Sequence, residues 1–197
     1  MIGRRVAALC ATALTLSIAA CGADHHSAPA PSSNATLAPN LRVTSTVLSD
    51  GETVAMPQVS PRCGGQNRSP DLSWTPGPAG TAAYAVTMFD PDAPVAGGFW
   101  HWIAFDIPSA SDSLPGGLSA ASPDARQATN QMGDARYDGP CPPPGRPHRY
   151  IVTVYALKEK IDLPDGAPHT DARSKITADT LATGTLTAHF GTPTGTH

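Results

Sequence analysis

No basic patch or arginine-rich run occurs in this chain. That argues against nucleic acid as a partner, because phosphate backbones are gripped by clustered Lys and Arg. No apolar stretch reaches the ~20 residues that a membrane-spanning helix needs. The longest, Val6 to Ala20, is about fifteen residues and rich in alanine. Few segments carry the spacing of a long helix, and no repeat of 20–50 residues is visible, which points away from bundles and solenoids. The Gly-x-Ser-x-Gly elbow of the α/β-hydrolases is missing. Cysteine is scarce, with Cys10, Cys21, Cys63 and Cys141 the full set.

What is present begins with a leader. Arg4-Arg5, the short apolar run and Ile18-Ala19-Ala20-Cys21 read as a secretory signal peptide over residues 1–20, ending in a bacterial lipobox. Cys21 is then lipidated and becomes the mature N-terminus, anchoring the chain outside the cytoplasm. An ordinary signal peptide cut nearby is the alternative. Residues 21–39 hold Ala, Ser, Pro, Asp and His with little to bury, and are expected to form a disordered tether. Residues 40–190 are about the size of one domain, and 191–197 are expected to fray. Without the leader's two arginines, 11 basic and 16 acidic residues remain, a net charge of −5.

The 21 prolines and 18 glycines fit a turn-rich β protein. Alternating segments recur at Leu41 to Leu48, Leu72 to Trp74, Ala83 to Phe89, Trp100 to Ile107, Tyr150 to Leu157 and Thr183 to Phe190. The segment from Tyr150 to Leu157 is apolar on nearly both faces and is expected at the centre of a sheet. One helix is expected, from Thr170 to about Leu181. The fold expected is mainly β, an antiparallel sandwich with one or two short helices. Once Cys10 leaves with the leader and Cys21 takes lipid, Cys63 and Cys141 remain. Outside the cytoplasm they most simply pair, with two separate buried thiols as the alternative.

Between these strands lie two long loops, Pro57 to Pro70 and Ser109 to Arg149. Loops of this length are usually functional or disordered, and their prolines favour a pre-formed pocket. The polar candidates gather at strand ends: Asp90 and Asp92 in Asp-Pro-Asp-Ala-Pro, His101 between two tryptophans, and His148 and Tyr150 one step of two apart on the same strand face. A carboxylate beside an imidazole orients it and favours its charged form. Such a histidine, a tyrosine hydroxyl and amides near Gly98 and Gly139-Pro140 can cradle an anion. Each residue also has a plainer reading: Asp90 and Asp92 as turn formers, and His101 and the tryptophans as packing.

Asp-Pro-Asp-Ala-Pro, then Trp-His, then Gly-Pro…Pro-Gly…His-Arg-Tyr, with Asn-x-Ser-Pro-x-Leu-x-Trp upstream (Asn67 to Trp74), resembles the phosphatidylethanolamine-binding protein family in its bacterial branch. The resemblance runs from about Leu41 to Phe190. It implies the family's sandwich and a pocket for phosphate or phosphorylated headgroups, built here from Asp90, Asp92, Pro94, His101, Gly139, Pro140, His148 and Tyr150. It also implies a cis peptide before a pocket proline, with Ala93-Pro94 the candidate, and the blocking of a partner enzyme. The loop at Gly139 to Pro144 departs from animal members by about a residue. The animal branch's C-terminal helix is missing, which could leave an edge or face open to a homodimer. No catalytic residue, cofactor or metal is required. A His/Asp-based hydrolase and a metal-binding protein are the alternatives.

Overall fold

The computed structural model describes residues 40–120 and 122–193. The expected leader, the lipobox cysteine Cys21, the tether and residues 194–197 lie outside them. Among the described residues, eight strands and one α-helix follow in the order β1 (Val43–Thr44), β2 (Leu72–Trp74), β3 (Ala83–Asp90), β4 (Phe99–Pro108), β5 (Ser113–Leu114), β6 (Arg126–Gln127), β7 (His148–Leu157), α1 (His169–Asp179) and β8 (Thr180–Phe190). They form a three-stranded sheet ordered β1-β2-β5 and a five-stranded sheet ordered β6-β4-β3-β7-β8. Every strand pair is antiparallel.

The large sheet has two dry faces, which explains why its inner strands read as apolar throughout. Tyr84, Val86, Met88, Trp102, Ala104, Tyr150, Val152 and Val154 pack towards Val43, Leu72, Trp74 and Leu114 of the small sheet. The alternate residues Ala85, Ile103, Phe105 and Leu157 pack with Ala172 and Ile176 of α1. Period-two side chains therefore feed both layers from the same strands. Burial at about 25 cal/mol per Å² makes these two layers the main stabilising term.

Several boundaries differ from the sequence pattern. The first strand is only Val43–Thr44. Ser45 Oγ accepts from the amides of Val47 and Leu48, turning the chain, and Thr46 is held by the Asp71 carboxylate. The helix spans His169–Asp179 and gives way at Thr180, whose backbone is already extended and whose hydroxyl donates to Ile176 O at 2.6 Å. Beyond β8, Thr192 is not frayed: its hydroxyl donates to Pro142 O at 2.6 Å. The outer edge of β8 is bonded to residues 51–54, through Gly51 N to Thr187 O, His189 N to Glu52 O and Val54 N to His189 O.

Candidate functional site

β3 ends in Asp90 and β4 begins opposite it at Phe99, so residues 91–98 form a hairpin loop at one end of the large sheet. Two left-handed glycines, Gly97 (φ 82°) and Gly98 (φ 74°), close this loop. A Cβ on Gly98 would lie 2.4 Å from the Phe89 ring and 2.7 Å from Asp90 O, so no side chain fits there. The expected cis bond before Pro94 is not present: no described peptide bond is cis. The loop turns instead by a tight three-residue bend across trans Pro94, with Val95 N donating to Ala93 O at 2.7 Å.

Asp90 is buried and fully engaged. Its Oδ1 accepts from the Asp92 amide at 2.8 Å and its Oδ2 from His148 Nδ1 at 2.8 Å. Because a carboxylate only accepts, His148 carries its proton on Nδ1 and turns Nε2 to other partners. His101, 5% exposed, donates from Nδ1 to Asp138 O at 2.7 Å, so it holds the same tautomer. Burial lowers the His101 pKa below its usual 6.5, against the opposing pull of the Asp138 carbonyl and of the Asp138 and Asp90 charges. Tyr150 lies edge-on to His101 with ring centroids 5.2 Å apart. Its hydroxyl is buried with no hydrogen-bond partner among the described residues. Burial, then the nearby Asp90 charge, pushes the phenol pKa up.

These groups line one cavity of about 340 Å³, within the usual range for small-molecule sites of roughly 300–1,000 Å³. Its polar wall is Arg62, Asp90, His101, His148 and Tyr150, and its apolar wall includes Pro94, Val95, Phe99, Met132 and Pro142. Five of the eight residues expected at a ligand thus converge: Asp90, Pro94, His101, His148 and Tyr150.

The other three serve the frame. Asp92 turns to the outside strand end, where both its oxygens bind Arg149: Oδ2 accepts from the Arg149 amide at 3.0 Å and from Nε at 2.8 Å, and Oδ1 accepts from Nη2 at 2.9 Å. The Arg149 side chain and amide hold the Asp92 carboxyl well below the usual carboxylate range. Gly139 N is not free for an anion, because it donates to Asn67 Oδ1 at 2.7 Å. Gly139 sits against the 58–60 backbone so tightly that a Cβ would lie 2.2 Å from Gln58 O. Pro140 O accepts from Ser60 N at 3.1 Å, and Gly98 N is likewise used within its own loop. The Asn67 of the upstream motif is therefore a clamp on the later loop, donating also to Tyr137 O at 3.0 Å.

Cys63 and Cys141 form a disulfide that joins the two long loops at the cavity. Beside it stands a residue the sequence pattern did not mark. Arg62 lines the cavity and pairs with Asp138 at 2.9 Å. Among the described residues no three His, Cys, Asp or Glu side chains are grouped to hold a metal ion.

The family model described as phosphatidylethanolamine-binding protein matches residues 44–191. The UPF0098 protein YbhB of Escherichia coli (strain K12) is 38% identical over 157 residues, covering 76% of this chain and 99% of that protein. A relative from Mycobacterium tuberculosis that carries a lipoprotein name, LppC, is 37% identical over 137 residues, 69% of this chain and 65% of its own. The crystal structure of Escherichia coli YbcL, described as a new member of the mammalian PEBP family, superposes with a TM-score of 0.73 at 34% identity. It covers 78% of this chain and 99% of that one.

Proposed function

The chain belongs to the phosphatidylethanolamine-binding protein family, and from that premise we propose that it is a lipid-anchored, extracytoplasmic binding protein whose rigid pocket holds phosphate or a phosphorylated headgroup. One observation carries the reading: two imidazoles in one cavity each commit Nδ1 to a protein acceptor, which leaves both Nε2 atoms for a ligand. The unpartnered Tyr150 hydroxyl beside them is a third group in need of a partner. Buried polar groups without one are costly, and an anion's oxygens supply acceptors for all three.

The pocket's own charge favours taking up protons from solvent as the ligand binds. Asp90 and Asp138 bring two carboxylates, against the single guanidinium of Arg62. An oxygen of a dianion offers no proton, so each Nε2 that binds it must become N–H. The resulting imidazolium pairs with Asp90 or with the Asp138 carbonyl on its far side, and charge-assisted bonds of this kind are among the stronger ones.

The envelope location is supported by the leader and lipobox pattern of residues 1–21, by the lipoprotein name of the mycobacterial relative and by the disulfide, which persists where the surroundings are oxidising. Calorimetric titration of the full-length protein with inorganic phosphate and with phosphoethanolamine tests the reading. One anion per chain is expected, with binding lost in His148→Ala and the circular dichroism spectrum retained. Undiminished binding by His148→Ala overturns the assignment.

A further inference from the structure

We propose that Arg62 is a specificity-determining residue that makes the pocket select doubly charged phosphate monoesters over singly charged phosphodiesters. The inference rests on the binding reading above and names the ligand class of that same site. Arg62 sits in a single helical turn, Pro61–Cys63, opened by Ser60, whose hydroxyl accepts from Arg62 N at 3.4 Å. Ser60 N in turn donates to Pro140 O at 3.1 Å, and Cys63 is bonded to Cys141. The turn is thus fastened to the loop that carries Pro140 and Cys141 by a backbone hydrogen bond and a covalent bond.

The side chain is fastened too. Arg62 Nη2 donates to Asp138 Oδ2 at 2.9 Å. Asp138 also brackets His101, accepting from its Nδ1 at 2.7 Å and donating from its own amide to His101 O at 3.0 Å. Guanidinium and buried imidazole are therefore indexed to one residue. That single contact engages one of the five N–H donors of a guanidinium. Nε and Nη1 have no partner among the described residues, and Arg62 lines the cavity while staying half-exposed at its mouth.

Position and charge together define the discrimination. Histidines and Tyr150 meet a phosphate from one side; Arg62 meets it at the mouth, where the second negative charge or the second ester substituent must lie. A phosphate monoester carries about −1.5 to −2 at pH 7, and its additional anionic oxygen finds a permanent cation. A diester carries one charge and puts a carbon substituent where Arg62 and the disulfide already stand. Inorganic phosphate and a free headgroup monoester share the favoured chemistry, whereas the headgroup of an intact phospholipid is a diester.

The test is calorimetry on the full-length protein at pH 7.5 with phosphoethanolamine and with glycerophosphoethanolamine. The monoester is expected to bind about tenfold more tightly, the worth of one charge-assisted hydrogen bond. Arg62→Gln is expected to bring the two affinities together by weakening the monoester, with the diester held within about twofold. Arg62→Lys, which keeps the charge, is expected to restore part of the preference and shows that the loss is not one of folding. Asp138→Asn, which removes the competing carboxylate but keeps the backbone contacts to His101, is expected to preserve or widen the preference. Equal affinities in the unaltered protein, or a preference that survives Arg62→Gln, overturn the proposal while leaving the binding reading in place. Absence of binding by either ligand removes both.

Discussion

Anion binding in this pocket should take up protons, and the number follows from the bonds already made. His101 and His148 each direct Nδ1–H to a protein acceptor, so in the neutral form each Nε2 is a bare acceptor facing an anion that is also an acceptor. One proton is needed for every imidazole that binds, and two are the ceiling. In the empty pocket burial holds His101 below its ordinary 6.5, so at pH 7.5 that proton comes from solvent. An anion raises the imidazole's pKa in the complex. Affinity is therefore full below the free-state value and falls as the pH rises towards the value in the complex, about tenfold per pH unit for each proton taken up. Arg62, which keeps its charge throughout, leaves a residual affinity at the alkaline end. Sulfate is the better probe, because phosphate titrates in the same range and would blur the source of the proton. Calorimetry of sulfate binding at pH 7.5 in two buffers of different ionisation enthalpy counts the protons directly. Uptake of one to two is expected. A heat independent of buffer, with an affinity flat from pH 6.5 to 8, would refute the argument.

Three further outcomes follow from the frame around the pocket. Gly139→Ala places a methyl 2.2 Å from Gln58 O and 2.7 Å from Ser60 N, both backbone, so it should cost about 1–3 kcal/mol or more, read as a lowered midpoint in urea unfolding, and an unchanged midpoint would contradict this packing. Replacing Cys63 and Cys141 together by serine opens a closure between residues 78 apart in sequence and should cost about 2–5 kcal/mol; proteolysis should then cut the 57–70 and 139–145 loops before the sheet, and simultaneous cutting of both would speak against that placement. Asp92 is held below its usual 3.8 by Arg149, so its contribution is present above that value and lost as the pH falls through the folded one; Asp92→Asn should lower the urea midpoint at pH 7 and converge with the unaltered protein in strong acid, whereas an equal deficit at both ends would exclude the ion pair as its cause.

The parts of the fold legible in the sequence are those where packing writes a period. β3, β4 and β7 were readable because both faces are buried, one against the small sheet and one against α1, so their runs of apolar and β-branched residues are long. β5 and β6 have two residues each, too few for any periodicity to show. The Leu41 to Leu48 segment alternates like a strand, yet Ser45 and the distant Asp71 divert it, and a side-chain contact 26 residues away leaves no local signal. At the site, Asp90 and Asp92 share a residue type and a motif, and only the tertiary partners separate them: His148 for one, Arg149 for the other. Gly139 was legible as a special position, but its amide answers to Asn67, 72 residues earlier. Arg62 was illegible, since one exposed arginine beside a cysteine carries no pattern until Asp138, 76 residues on, comes to meet it.

On this reading the His101 and His148 imidazoles hold the anion through Nε2. Long-range ¹H–¹⁵N NMR of the imidazole nitrogens, recorded at pH 7.5 with and without saturating inorganic phosphate, observes this directly. Both rings are expected to carry a proton on Nδ1 in the empty protein, with His101 neutral, and at least one ring is expected to gain an Nε2 proton in the complex. Imidazole nitrogens that keep their shifts while phosphate binds would contradict it.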